Sequence, residues 1–157
     1  MTEHSTTDTT TDSTAADTAQ PDAQLKALDR LVGTWRVTGG AEGTVTYRWL
    51  DGGFFLIQEV DFEQYGRRIS GVEMIGRERP FGAERPGADI KSRFYDNQGN
   101  TFDYVYELDG DTLTIWGGEK GSPAYYRGTF SPDGDTATGA WIYPGGGGYD
   151  SNMTRLK

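Results

Sequence analysis

"LDRLVGTWRV", residues 28–37, reads as the end of a helical turn running straight into a strand. Trp35, the first large aromatic residue of the chain, stands two residues past Gly33. Upstream, a short helical stretch reaches back from Val32 to about Pro21. Downstream, nearly everything reads as β. The 23 glycines fall mostly between aromatic and β-branched runs. Turn signals recur about every ten residues. They include Gly39-Gly40, Asp51-Gly52-Gly53, Tyr65-Gly66, Asn97 to Asn100, Asp109-Gly110-Asp111, Pro132 to Asp135, and Pro144 to Gly148. Each supplies the positive or preset φ that a tight reversal needs. One longer loop with two prolines, "RERPFGAERPGAD", spans residues 77–89. About ten short strands at such even spacing form a meander, either a sandwich or a closed barrel.

Several of these strands alternate. In "TFDYVYEL" the set Phe102, Tyr104, Tyr106 and Leu108 faces in, opposite Asp103, Val105 and Glu107. In "GTVTYRWL" the inward set is Val45, Tyr47 and Trp49. In "FFLIQEVDF" the greasier side carries Phe54, Leu56, Val60 and Phe62, and brings Gln58 inward with them. A polar group on an inward face must find a partner or a ligand.

Leu28, Leu31, Gly33, Thr34 and Trp35 resemble the L-x-x-L-x-G-x-W opening of lipocalin-like calycin barrels. The likeness continues through "GVEMIGRE", "SRFYDNQGN", "YELDGDTLTIW", "YRGTFSPDGDTATGAW" and the last strand "DSNMTRLK". This ordered series resembles a large bacterial group of lipocalin-like domains of unknown function, over most of residues 25–157. The resemblance implies an all-β fold: an antiparallel up-and-down barrel of about ten strands with a short N-terminal helix. It also implies that Trp35 lies at the closed end, beneath a basic side chain of the last strand. Arg155 matches that place, so the two are expected in contact as a structural plug. Nitrobindins are distantly similar, and Gly33, Trp35 and Gly39 match their opening. Val37, however, stands where they have glycine, and no histidine follows His4 to serve as their axial haem ligand. No cofactor is expected.

Composition narrows the function classes. Residues 1–24 hold no large apolar residue except Met1, and read as a disordered acidic tail ahead of a barrel domain at 25–157. The tail carries five carboxylates, which leaves −4 of the chain's −9 for the rest. That balance offers no basic stripe for nucleic acid. No basic amphipathic helix or long apolar run suggests a membrane. The tail has neither the cationic start nor the apolar centre of a signal peptide, so a cytoplasmic protein is expected. With no cysteine and one histidine, thiol nucleophiles, disulfides and the usual zinc sites are excluded, and no metal is expected.

Few residues remain for chemistry. "PGGGGYD" at 144–150 lacks the lysine of a phosphate loop, and the two "DGD" stretches lack the spacing of a calcium loop; both read as turns. The pairs Glu59 with Asp61, and Asp103 with Glu107, face solvent by alternation. Arg93 and Arg127 sit among aromatics, either exposed beside them or turned in to hold a ligand carboxylate. Glu73, between Val72 and Met74, is the best inward carboxylate and the one weak catalytic candidate.

Nine tyrosines and four tryptophans either fill the barrel or line a pocket. A hollow barrel would bind an apolar or aromatic small molecule, lined by Tyr47, Trp49, Gln58, Met74, Tyr104 and Tyr106. The same cavity could instead serve a cofactor-free enzyme of the cyclase or isomerase type, with Glu73 as base. A filled barrel would be a structural module, dimerising through an outer sheet face.

Overall fold

The computed structural model of the chain describes residues 20–157. Its ten strands are β1 (Gly33–Gly39), β2 (Glu42–Trp49), β3 (Phe55–Gln64), β4 (Arg67–Gly76), β5 (Ile90–Asp96), β6 (Thr101–Asp109), β7 (Thr112–Gly117), β8 (Tyr125–Phe130), β9 (Thr136–Ile142) and β10 (Tyr149–Arg155). Each pairs antiparallel with its neighbour in sequence, and β1 pairs with β10 through Trp35 opposite Arg155 and Val37 opposite Met153. Of the two architectures that the turn spacing allows, the chain therefore forms the closed barrel. Closure leaves no unpaired strand edge.

One end is sealed by the segment ahead of β1. Helix α1 (Ala23–Lys26) continues as a 3-10 turn over Ala27–Leu31. Leu25, Leu28 and Leu31 are buried from this segment, and they join Trp35, Leu56, Ile75 and Ile90 in one core. The Trp35 indole N–H donates to the Leu31 carbonyl at 2.8 Å. The Arg155 guanidinium lies 4.2 Å from the centroid of that ring. It also donates to the Val32 and Arg30 carbonyls and pairs with Asp135. Phe130 meets Trp35 edge-on at 6.3 Å, and Arg30 covers the Phe130 ring at 4.1 Å. The plug expected of Trp35 and Arg155 is thus a stack in which every guanidinium has an aromatic face or a carbonyl.

Arg77, just past β4, clamps the helix in place. It donates to Asp22 at 2.7 Å, to Gln24 at 2.8 Å and to the Ala88 carbonyl. Asp22 also caps the helix, accepting from the Leu25 N–H at 3.0 Å. Of the acidic tail expected over residues 1–24, residues 1–19 lie outside the described ones. Asp22 to Gln24 belong to this clamp instead. Composition pointed the other way because these residues are anchored by polar contacts rather than by apolar burial. The Arg77 hydrogen bonds hold the Asp22 carboxyl down at about 2. Asp22→Ala is expected to lose about 1–2 kcal/mol at pH 7, from the cap together with the half-exposed pair to Arg77. Because the folded pKa is depressed, that contribution is present above pH 4 and fades as pH falls toward 2. Urea unfolding of both proteins at pH 7 and pH 3 checks it.

The outer face is charged. Arg48 pairs with Glu59, Arg68 with Asp61, Arg93 with Asp103 and Lys120 with Glu107. Among the described residues, no helix is long and apolar enough to cross a membrane.

Candidate functional site

Above the sealed end the barrel is hollow. A cavity of about 360 Å³ runs along its axis. Gln64, Asp96, Asn100, Tyr143 and Tyr149 line its mouth, at the end where the turns after β1, β3, β5 and β9 lie. Eight strands enclose an interior just wide enough for side chains to fill, and ten enclose more room. Two glycines on the wall leave more of that room to neighbouring rings. At Gly71 a Cβ would meet the Phe94 ring at 2.9 Å, and at Gly139 a Cβ would meet the Tyr126 hydroxyl at 2.7 Å. The missing side chains leave that space to the Phe94 and Tyr126 rings. Tyr126 settles there by donating to the Ser151 carbonyl at 3.3 Å.

The floor of the cavity is polar, and the strand register builds it. Tyr47 on β2 lies opposite Gln58 on β3, which lies opposite Glu73 on β4. Gln58 donates to the Tyr47 hydroxyl at 2.8 Å. Glu73 is buried, and its Oε2 accepts from the Ser92 hydroxyl at 2.5 Å and the Tyr106 hydroxyl at 2.8 Å. Its other oxygen, Oε1, has no hydrogen-bond partner among the described residues, yet no fully enclosed polar atom goes unpaired there. Oε1 therefore touches the cavity. Burial pushes the Glu73 carboxyl up to about 7, against the two hydrogen bonds, which favour its charged form. Burial likewise pushes the Tyr47 and Tyr106 hydroxyls well above their ordinary value, and Tyr126 to about 12. The tyrosines stay neutral, and among the described residues Glu73 is the one buried group able to exchange a proton near neutrality.

Aromatic faces make up much of the wall. Trp141 packs against Tyr104 at 5.7 Å and Tyr126 at 5.6 Å. No lysine, arginine or histidine lines the cavity among the described residues. At the mouth, Asp96 is held by the Gln98 and Asn100 amide groups of its own turn. Those bonds outweigh desolvation and keep its carboxyl below its ordinary value.

Of the residues singled out in the sequence, Tyr47, Gln58, Glu73, Tyr104 and Tyr106 line this cavity. Trp49 and Met74 do not. Trp49 faces in but lies at the sealed end, where its indole N–H donates to Asp29 at 2.8 Å. Met74 is on the outer face, because consecutive strand residues point to opposite sides and Glu73 takes the inward place. Arg93 is outside with Asp103, and Arg127 is outside over the Tyr125 and Trp116 rings. Ser92, Phe94, Tyr126, Trp141 and Tyr149 were not anticipated. The signal for Ser92 was present: Lys91 and Arg93 must face water, which turns Ile90, Ser92 and Phe94 inward. Compared with known protein families and with curated proteins, the chain matches no family profile and no characterised sequence.

Proposed function

We propose that the barrel is a binding protein for an apolar or aromatic small molecule, held in the axial cavity with one polar group on its floor. The observation that carries this reading is a hollow lined by rings and aliphatic side chains, with Tyr47, Gln58, Glu73 and Tyr106 converging at its floor. Few convergent polar groups in a mostly apolar pocket are the usual pattern of small-molecule sites. The architecture and the Trp35–Arg155 plug suit a lipocalin-like calycin barrel. Ion pairs over the outer face suit water rather than lipid, in keeping with a cytoplasmic location. The test is mass spectrometry of protein purified without denaturation, alongside titration with an apolar fluorescent dye. Saturable dye binding that Val60→Trp abolishes, with the circular dichroism of the barrel unchanged, supports the reading. Val60 lines the cavity, so the new indole fills it from within. Dye binding that survives this filling sinks it.

A second reading has one observation in its favour. Glu73 is buried, faces the cavity and exchanges its proton near pH 7, as a general base or acid must. The barrel would then be a cofactor-free isomerase or cyclase. A bound molecule that is converted by the wild type, and bound without conversion by Glu73→Gln, is the result that selects this reading.

A further inference from the structure

We propose that the molecule held in this cavity is an organic cation, a protonated amine on a flat apolar body, with its nitrogen against Glu73 Oε1 and its body among the rings. The inference rests on the small-molecule reading above and names the ligand class. Three independent observations converge on it. The cavity wall holds two carboxylates, Glu73 at the floor and Asp96 at the mouth, and no basic side chain among the described residues. Oε1 of Glu73 faces the cavity without a partner among the described residues, whereas Oε2 is already used twice. The remaining surface is aliphatic and aromatic, and Tyr47, Tyr104, Tyr106, Tyr126 and Trp141 are among its rings, whose π faces attract a cation.

The alternatives fit worse. An anionic ligand would bring a second negative charge into a low-dielectric space that has no counter-charge to offer. A neutral ligand leaves the charge on Oε1 without a counter-charge whenever Glu73 ionises. A cation pairs with the carboxylate and with the ring faces together. Every group that faces Glu73 from the neighbouring strands is neutral: Tyr47 from β2, Gln58 from β3, Ser92 from β5, and Tyr104 and Tyr106 from β6. None of them supplies a positive charge, so that place is left to the ligand.

Affinity for such a ligand depends on pH. The empty site binds a proton at Glu73 with a pKa of about 7, and an entering ammonium must displace it. Between pH 8 and pH 6 the ionised fraction falls about tenfold, and affinity falls with it while the amine keeps its charge.

The experiment is calorimetric titration at pH 8 with three matched series, each sharing one ring system. They are phenethylamine, phenylethanol and phenylpropanoate; tryptamine, tryptophol and indolepropionate; and the naphthyl amine, alcohol and carboxylate. In at least one series the amine is expected to bind tenfold or more tighter than the alcohol, with the carboxylate weakest. Its affinity should fall about tenfold at pH 6. Glu73→Gln should bring the amine down to the level of the alcohol and remove the pH dependence. Alcohols or carboxylates that bind as tightly as their amines overturn the cation while leaving a small-molecule site. Silence from all nine probes overturns both.

Discussion

Trp35→Ala is expected to destabilise the barrel by about 4 kcal/mol, within the usual cost of removing a large buried aromatic. The side chain is wholly buried at the sealed end. Its loss leaves the Leu31 carbonyl without the indole N–H and opens a void among Leu28, Leu31 and Phe130. The Arg155 guanidinium also loses the ring beneath it, a contact of about 0.5–2 kcal/mol depending on desolvation. Against a typical total of about 5–15 kcal/mol, the variant is left marginal. Trp35→Phe keeps a ring under Arg155 but drops the hydrogen bond and part of the volume, and should lose about half as much. Urea unfolding of the three proteins checks the order. A loss below about 1 kcal/mol for the alanine variant would mean that this end of the barrel collapses around the gap.

The segment ahead of β1 is anchored by its three leucines, by the Arg77 clamp, by Asp29 and Arg30, and by the carbonyls that Arg155 and Trp35 tie down. Trp35 holds one of those carbonyls itself and lies under Arg155, which holds two more. That is why one stretch, residues 28–37, carried so much of the fold in the sequence. The apolar Leu28 and Leu31 needed a cover, and the only large residue within reach in sequence was Trp35. Strand alternation supplied the rest of the architecture, since Phe102, Tyr104 and Tyr106 on one face leave Asp103 and Glu107 no choice but the other. Alternation is a local rule, however, and it does not say how deep a residue sits along the barrel axis. Trp49 shares its inward face with Tyr47 but lies at the sealed end, and nothing in "TVTYRWL" marks that difference. Nor does alternation fix phase where a strand is apolar on both sides. "GVEMIG" offers Glu73 and Met74 to the interior with almost equal claim, and only the register against Gln58 and Phe94 decides for Glu73. Val105 shows the converse. It faces outward yet is buried, cross-strand from Trp116, whose indole donates to Glu107. Pairing across strands is a property of the closed sheet, and a single strand's pattern carries no trace of it.

Glu73→Gln is expected to leave the protein about as stable as the wild type near pH 5 and to make it markedly more stable at pH 8. The sign follows from the two states of the carboxyl. Unfolded, it ionises near its ordinary value of 4.5; folded, burial raises it to about 7. Between those values the folded chain keeps a proton that the unfolded chain has released, so wild-type stability falls as pH rises. At about 1.4 kcal/mol per unit, the whole interval amounts to about 3 kcal/mol. Glutamine mimics the protonated carboxyl: its oxygen accepts from Ser92 and Tyr106, and its amide takes the place of the acid proton toward the cavity. It has nothing to titrate, so its advantage should open from pH 5 upward and level off above pH 7. Urea midpoints of both proteins across that range measure it. Parallel curves would show that the carboxyl finds hydration through the mouth and is not held neutral. A cationic ligand reverses the trend, because it stabilises the ionised carboxylate. Its thermal shift on the wild type should therefore grow with pH, while Glu73→Gln should show none of that growth. A buried carboxylate that weakens the empty barrel at pH 8 is a defect only so long as nothing positively charged lies against it.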